Sequence, residues 1–199
     1  MSGRGSASVP VGASPLRHLP NLITLLRILL VLPLGWSLLE RRFDLALGLA
    51  ATAGGSDALD GFLARRYDWR SRLGGLLDPI ADKLLLATCF LGLSQVGSVP
   101  WALTLLVLGR DVMIVAGALV WQRLFGALEA QPTLLSKFTT LAQIVYVLAV
   151  LLDLDGIAAL SMAPLLWTVV ALTVASGADY VLRWSLQARR RLRGKGESG

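Results

Sequence analysis

The chain reads as an all-α membrane protein with six transmembrane helices, and three observations predict it. Of 199 residues, 55% are hydrophobic and only 16% charged, whereas a soluble domain of this length carries more charge on its surface. The apolar residues fall in runs near the roughly 20 residues that cross a hydrocarbon core as a helix. Arg and Lys cluster at the ends of those runs, as topology signals do.

Residues 1–15 are rich in Gly, Ser, Ala and Pro, a composition that predicts a disordered tail. The spans follow at about 22–39, 45–64, 76–96, 100–121, 134–152 and 158–182. The first is not a signal peptide: it is longer than an h-region, carries Arg27, and precedes no clean cleavage site. Pro20 and Pro100 open helices, where the missing N–H is harmless. Pro33 and Pro79 fall inside spans, and Pro79 should loosen the turn that carries Asp78. Trp101 and Trp121 bracket the fourth span, and Trp36 and Trp184 lie near other ends, as an aromatic belt requires. One domain over 16–186 accommodates all six spans, with a basic tail over 187–199.

The net charge of +6 is concentrated in two places. Arg65, Arg66, Arg70 and Arg72 crowd one loop, and Arg183, Arg189, Arg190, Arg191, Arg193 and Lys195 crowd the C-terminus. Because both clusters flank apolar spans, they orient the chain and favour anionic membrane lipids; nucleic acid is not an expected partner. The loops 65–73 and 122–133 and the tail then share one side with the N-terminus, the cytoplasmic or matrix side. The 40–44, 97–99 and Asp153–Asp155 turns lie opposite. Cys89 is single and suits packing, and His18 has no companion for a zinc site.

The chemistry is concentrated between residues 57 and 82. Asp57 and Asp60 are three apart, Asp78 and Asp82 four apart, and on helices each spacing places the pair on one face. A short loop between the two helices makes them antiparallel, so the pairs can face each other. Four carboxylates at membrane depth repel and are poorly solvated. Divalent cations relieve both problems, and hard oxygen ligands suit Mg²⁺ or Mn²⁺, a pair of which can hold a diphosphate. Gly61 and Gly74 leave room for a nucleotide diphosphate against the backbone, and Arg65 offers a planar donor for phosphate oxygens. The plainer alternative pairs these acids with Arg66, Arg70 and Arg72 in a merely structural hairpin; it needs neither the glycines nor the opposed spacings.

Asp57, Asp60, Gly61, Ala64, Arg65, Gly74, Asp78 and Asp82 fill every fixed position of D-x-x-D-G-x-x-A-R, eight residues, G-x-x-x-D-x-x-x-D. In this the chain resembles the CDP-alcohol phosphotransferase family. The resemblance implies a six-helix transmembrane fold, usually a homodimer. It also implies that Asp57, Asp60, Asp78 and Asp82 bind two divalent ions, with Asp82 the general base. Gly61, Ala64, Arg65 and Gly74 would line the CDP pocket. The Pro20–Arg27 stretch is similar to the family's first-helix motif, which implies nucleotide contacts for Asn21 and Thr24, residues equally able to cap the helix start. Arg27 is assigned to the acceptor side.

Asp78-Pro79-Ile80-Ala81-Asp82-Lys83 looks like the branch that makes phosphatidylglycerophosphate or cardiolipin from CDP-diacylglycerol. Arg110 and Lys137 are the acceptor-side candidates. Glycerophosphate-using members typically show Arg-Glu and Lys-x-Lys-Thr; here Asp111 replaces the Glu, and Thr139 stands at the second Lys. Both departures favour phosphatidylglycerol, giving cardiolipin, over glycerol 3-phosphate as acceptor. Arg110 and Asp111 could instead neutralise each other, although adjacent helical residues diverge by about 100° and pair awkwardly. A transporter with ion-carrying acids and a non-catalytic scaffold are the rivals from other classes; neither needs the nucleotide signature. The expected setting is a bacterial or mitochondrial inner membrane.

Overall fold

The computed structural model describes residues 19–67, 74–125, 133–152 and 162–196, with side chains for 24–56, 80–123, 133–152 and 162–189. Six helices account for nearly all of these residues: α1 (Leu19–Leu39), α2 (Phe43–Tyr67), α3 (Gly74–Gln95), α4 (Trp101–Phe125), α5 (Leu134–Leu152) and α6 (Met162–Gly196). The 1–15 tail, His18 and the Asp153–Asp155 turn lie outside the described residues.

Each expected span has its helix, and the largest departure in length is at the C-terminus. Helix α6 runs unbroken for 35 residues to Gly196, through the stretch expected as a separate tail. Its Leu, Gln, Ala and Arg residues are strong helix formers, and nothing before Gly194 interrupts them. Helix α3 likewise continues through Pro79, and α1 through Pro33. Three described stretches, Trp101–Arg123, Leu134–Leu152 and Met162–Arg189, are long and apolar enough to cross a membrane. The chain is a multi-pass membrane protein.

Cross-helix bonds set the directions. Thr139 and Gln143 of α5 meet Leu172 and Thr173 of α6, and Arg110 of α4 meets Ser136 and Ser176. Together with Arg27 on Asp82, these place the start of α1 and the end of α6 at the same end of the bundle as Asp82. The opposite end carries the two short turns.

Those turns are closed by matching helix caps. Arg42 N donates to Ser37 O at 2.8 Å after Arg41, and Ser98 N donates to Leu93 O at 2.9 Å after Gly97. Both are six-to-one bonds of the Schellman type, with the preceding residue left-handed: φ is 57° at Arg41 and 82° at Gly97. Arg41 Nη2 then donates to Val96 O at 2.9 Å, tying one cap to the other.

The packed core occupies the half of the bundle nearest these turns. Leu34 and Leu38 of α1 meet Phe90 and Leu93 of α3, Leu103 and Val107 of α4, and Tyr146 and Leu151 of α5. Lipid is as apolar as these side chains, so close packing rather than water exclusion holds the helices together. Small residues allow it. A methyl group on Gly92 would lie 2.8 Å from Leu38, and one on Gly117 would collide with the Trp184 ring. This last contact corrects the belt expectation. Trp121 is buried and Trp184 lies against Gly117, because α4 and α6 pack where Gly117 opens a gap. Trp36 and Trp101 are exposed.

Candidate active site

Helix α1 packs broadly against both α2 and α3, while α2 and α3 touch each other only slightly. The space they leave is closed by α5. It forms a cavity of about 440 Å³ lined by Ala50, Ala51, Gly54 and Gly55 of α2, Asp82, Leu85, Leu86 and Cys89 of α3, and Thr140, Ile144, Val147 and Leu148 of α5. Side chains added at Gly54 or Gly55 would meet nothing within 4 Å, so these glycines are part of what keeps the space open. Among the described residues the walls are apolar apart from Asp82 and Thr140, a mixture suited to a ligand with one charged end and an apolar remainder.

Asp82 is the charged group on the cavity. Its side chain is 53% exposed, and its Oδ1 accepts from Arg27 Nη1 at 2.9 Å, while the Arg27 side chain is fully buried. A cation buried on an apolar helix requires a partner, and Asp82 is one. The contact orients the carboxylate from behind, across a separation of 55 residues. Thr24, one turn earlier on α1, is also buried.

A second polar cluster lies beside the first. Asp111 Oδ1 accepts from Lys83 Nζ and from Arg110 Nη1, both at 2.7 Å. Arg110 Nη2 donates to Ser136 Oγ and to Ser176 Oγ, each at 2.6 Å, and its guanidinium carbon lies 6.0 Å from the Tyr180 ring centre. The neighbouring pair thus does form, against the geometric expectation. The long Arg110 side chain bends back to a carboxylate that the backbone alone would point elsewhere.

The remaining expected site residues are placed by their backbone. Asp57, Asp60, Gly61, Ala64 and Arg65 lie on α2, Gly74 and Asp78 on α3, and Asn21 on α1; their side chains are outside the described set. Asp57 follows Gly54 by three residues and Asp78 precedes Asp82 by four, spacings that share a helix face. Among the described side chains no three metal-ligating residues converge. Lys137 is exposed on α5. Thr139 is fully buried, its hydroxyl donating to Leu135 O at 2.8 Å and to Leu172 O at 3.1 Å. The position expected for a second Lys in a glycerophosphate-using enzyme is here inside the α5–α6 contact.

Comparison with known proteins decides the family. A profile of CDP-alcohol phosphatidyltransferases matches residues 17–175. The chain belongs to the CDP-alcohol phosphatidyltransferase family. It is 33% identical over 191 residues to human cardiolipin synthase (CMP-forming), covering 87% of this chain and 64% of that one. It is also 33% identical over 178 residues to a probable phosphatidylglycerophosphate synthase of Mycobacterium tuberculosis, covering 86% and 84%. A chloroplastic CDP-diacylglycerol–glycerol-3-phosphate 3-phosphatidyltransferase of rice is 31% identical over 198 residues, covering 89% and 60%. The chain therefore spans less than two thirds of the cardiolipin synthase it matches. Within this family's signature the motif acids and glycines are legible from spacing. Lys83, Ser136 and Ser176, by contrast, acquire partners only when α3, α4, α5 and α6 are brought together, and isolated polar residues on apolar helices were the only hint.

Proposed function

We propose that the chain transfers a phosphatidyl group from CDP-diacylglycerol to a glycerol-type hydroxyl, releasing CMP. One observation carries this reading: Asp82, a half-exposed carboxylate held by buried Arg27, sits on an otherwise apolar cavity. A base that takes a proton from a lipid substrate needs such a boundary, with the polar group reachable and the acyl portion accommodated.

The donor set suits a divalent metal, since Asp82 presents hard oxygen and three more acids share its helix or the facing one. Asp57, Asp60, Asp78 and Asp82 would hold two such ions, Mg²⁺ or Mn²⁺, which supply charge neutralisation at the diphosphate. Asp82 accepts the proton of the acceptor hydroxyl as that oxygen bonds to the lipid-side phosphorus. The bond from that phosphorus to the CMP oxygen breaks, and Arg65 stabilises the departing phosphate. Asn21, Thr24, Gly61, Ala64 and Gly74 would form the CDP pocket. Lys137 serves the acceptor from α5, with Arg110 and Arg27 holding neighbouring groups in place.

Phosphatidylglycerol is the favoured acceptor, making cardiolipin the product. Buried, hydrogen-bonded Thr139 supports this, because no second cation is available there for a phosphomonoester. Glycerol 3-phosphate is the second reading, favoured by the larger share of the Mycobacterium relative that the chain covers, 84% against 64% of the human one. In the membrane we infer six spans within one domain, both ends on the cytoplasmic or matrix side, in a homodimer.

The test uses purified protein with CDP-diacylglycerol, Mg²⁺ and each acceptor in turn, and identifies the lipid product. Cardiolipin from phosphatidylglycerol is the expected result. Phosphatidylglycerophosphate formed without any cardiolipin would reverse the acceptor assignment, and absence of CMP with every acceptor would remove the transferase reading.

A further inference from the structure

We infer that Lys83, Asp111 and Arg110 form a positioning bridge that holds the Asp82-bearing end of α3 against α4, α5 and α6. The inference rests on the transferase reading for its functional consequence and on geometry for the bridge itself.

The carboxylate is shared. Asp111 Oδ1 takes both Lys83 Nζ and Arg110 Nη1 at 2.7 Å, and charge-assisted bonds of this length are the strong ones. The Asp111 side chain is only 16% exposed and that of Arg110 3%, so solvent screens their contact weakly, whereas the Lys83 side chain is 41% exposed and its contact is screened more. Arg110, almost wholly buried, spends Nη2 on Ser136 of α5 and Ser176 of α6. Asp111 is therefore anchored through Arg110 to α5 and α6 as well as to its own helix, and Lys83 is the arm by which α3 grips it.

Polar ties join α3 to α4 at two levels. Near the turn, Ser94 and Thr104 hydroxyls meet at 2.5 Å, and Thr104 also reaches Phe90 O. At the other level is Lys83–Asp111, one residue from Asp82. Neighbouring residues on a helix share a backbone, so a displaced Lys83 carries Asp82 with it. Lys83 faces α4 while Asp82 faces the cavity, so the bridge steadies the carboxylate without occupying its site.

The test uses full-length protein in nanodiscs, as wild type, Lys83→Met, Asp111→Asn, the double variant and Lys83→Arg. CMP release gives kcat and KM for CDP-diacylglycerol, and hydrogen exchange follows the amides of residues 80–95. Each single variant should lose about tenfold to a hundredfold in kcat, with KM within about twofold. The double variant should be no worse than the poorer single, because the two residues act as one unit. Lys83→Arg should restore most of the activity. Exchange should rise around residues 80–86 and stay unchanged near 90–95. Unchanged exchange in Lys83→Met overturns the bridge. Faster exchange with wild-type kcat, or single losses that multiply in the double variant, overturns the positioning role. A wild-type chain that releases no CMP removes the transferase reading, and the exchange arm still decides the bridge.

Discussion

The two ends of this bundle are built from different materials. At the turn end the buried side chains are Leu34, Leu38, Phe90, Leu93 and their neighbours, and the polar groups there (Ser37, Ser94 and Thr104) bond locally or across one helix contact. Both helix ends are capped and the caps are tied through Arg41. At the Asp82 end the buried side chains include Arg27, Arg110, Thr139, Gln143, Thr173 and Ser176, and α2 and α3 part to leave a cavity. An apolar contact tolerates a neighbour of similar volume, but a buried charge demands one particular partner. The turn end accordingly holds the fold, and the other end sacrifices packing to hold charges in position.

Substitutions at the two ends should therefore separate activity from stability. The largest effect belongs to the motif acids. Asp57→Asn, Asp60→Asn or Asp78→Asn should reduce CMP release by at least about 10²–10³-fold while thermal unfolding in detergent stays near wild type. Wild-type turnover persisting in excess chelator would sink the metal-dependent reading outright.

At the turn end, Gly92→Ala forces a methyl group to 2.8 Å from fully buried Leu38. It should cost about 1–3 kcal/mol of stability, seen as a lower thermal midpoint, with KM for CDP-diacylglycerol unchanged. A shifted KM would mean that the two ends are coupled more tightly than their packing suggests. Gly54→Leu tests the reverse case, since a side chain there enters open space. Stability should hold, whereas KM for the lipid substrate should rise about tenfold, the equivalent of 1.4 kcal/mol; an unaltered KM would place the acyl chain elsewhere. The smallest effect is Gly97→Ala. There is room for the methyl group but φ is 82°, so the loss is backbone strain of about 1 kcal/mol, measurable by unfolding and silent in turnover.

Much of the proposed site is a motif legible before any helix is placed. Asp57, Asp60, Asp78 and Asp82 stand out because acids rarely stand at such spacing on apolar helices, and Gly61 and Gly74 because they sit at fixed positions of the same motif. Two outcomes were not legible there for one reason. Thr139 is enclosed against α6, where its hydroxyl reaches Leu172 O, and Trp121, at a span end where an interfacial ring is expected, is buried. Position along a helix gives depth, but the direction in which a side chain is covered depends on which helix lies beside it.

The sequence by itself determined the membrane class, the number and order of the helices and the acid motif, because these depend on local periodicity, run length and spacing along one or two helices. Only the tertiary structure decided that Arg27 holds Asp82, that Asp111 serves both Lys83 and Arg110, and that α2 and α3 separate around a cavity. The Arg27–Asp82 and Lys83–Asp111 contacts join residues 55 and 28 positions apart. At such separations the pairing is chosen by how six helices pack, since each buried charge can reach only the partner that packing brings within a few ångströms.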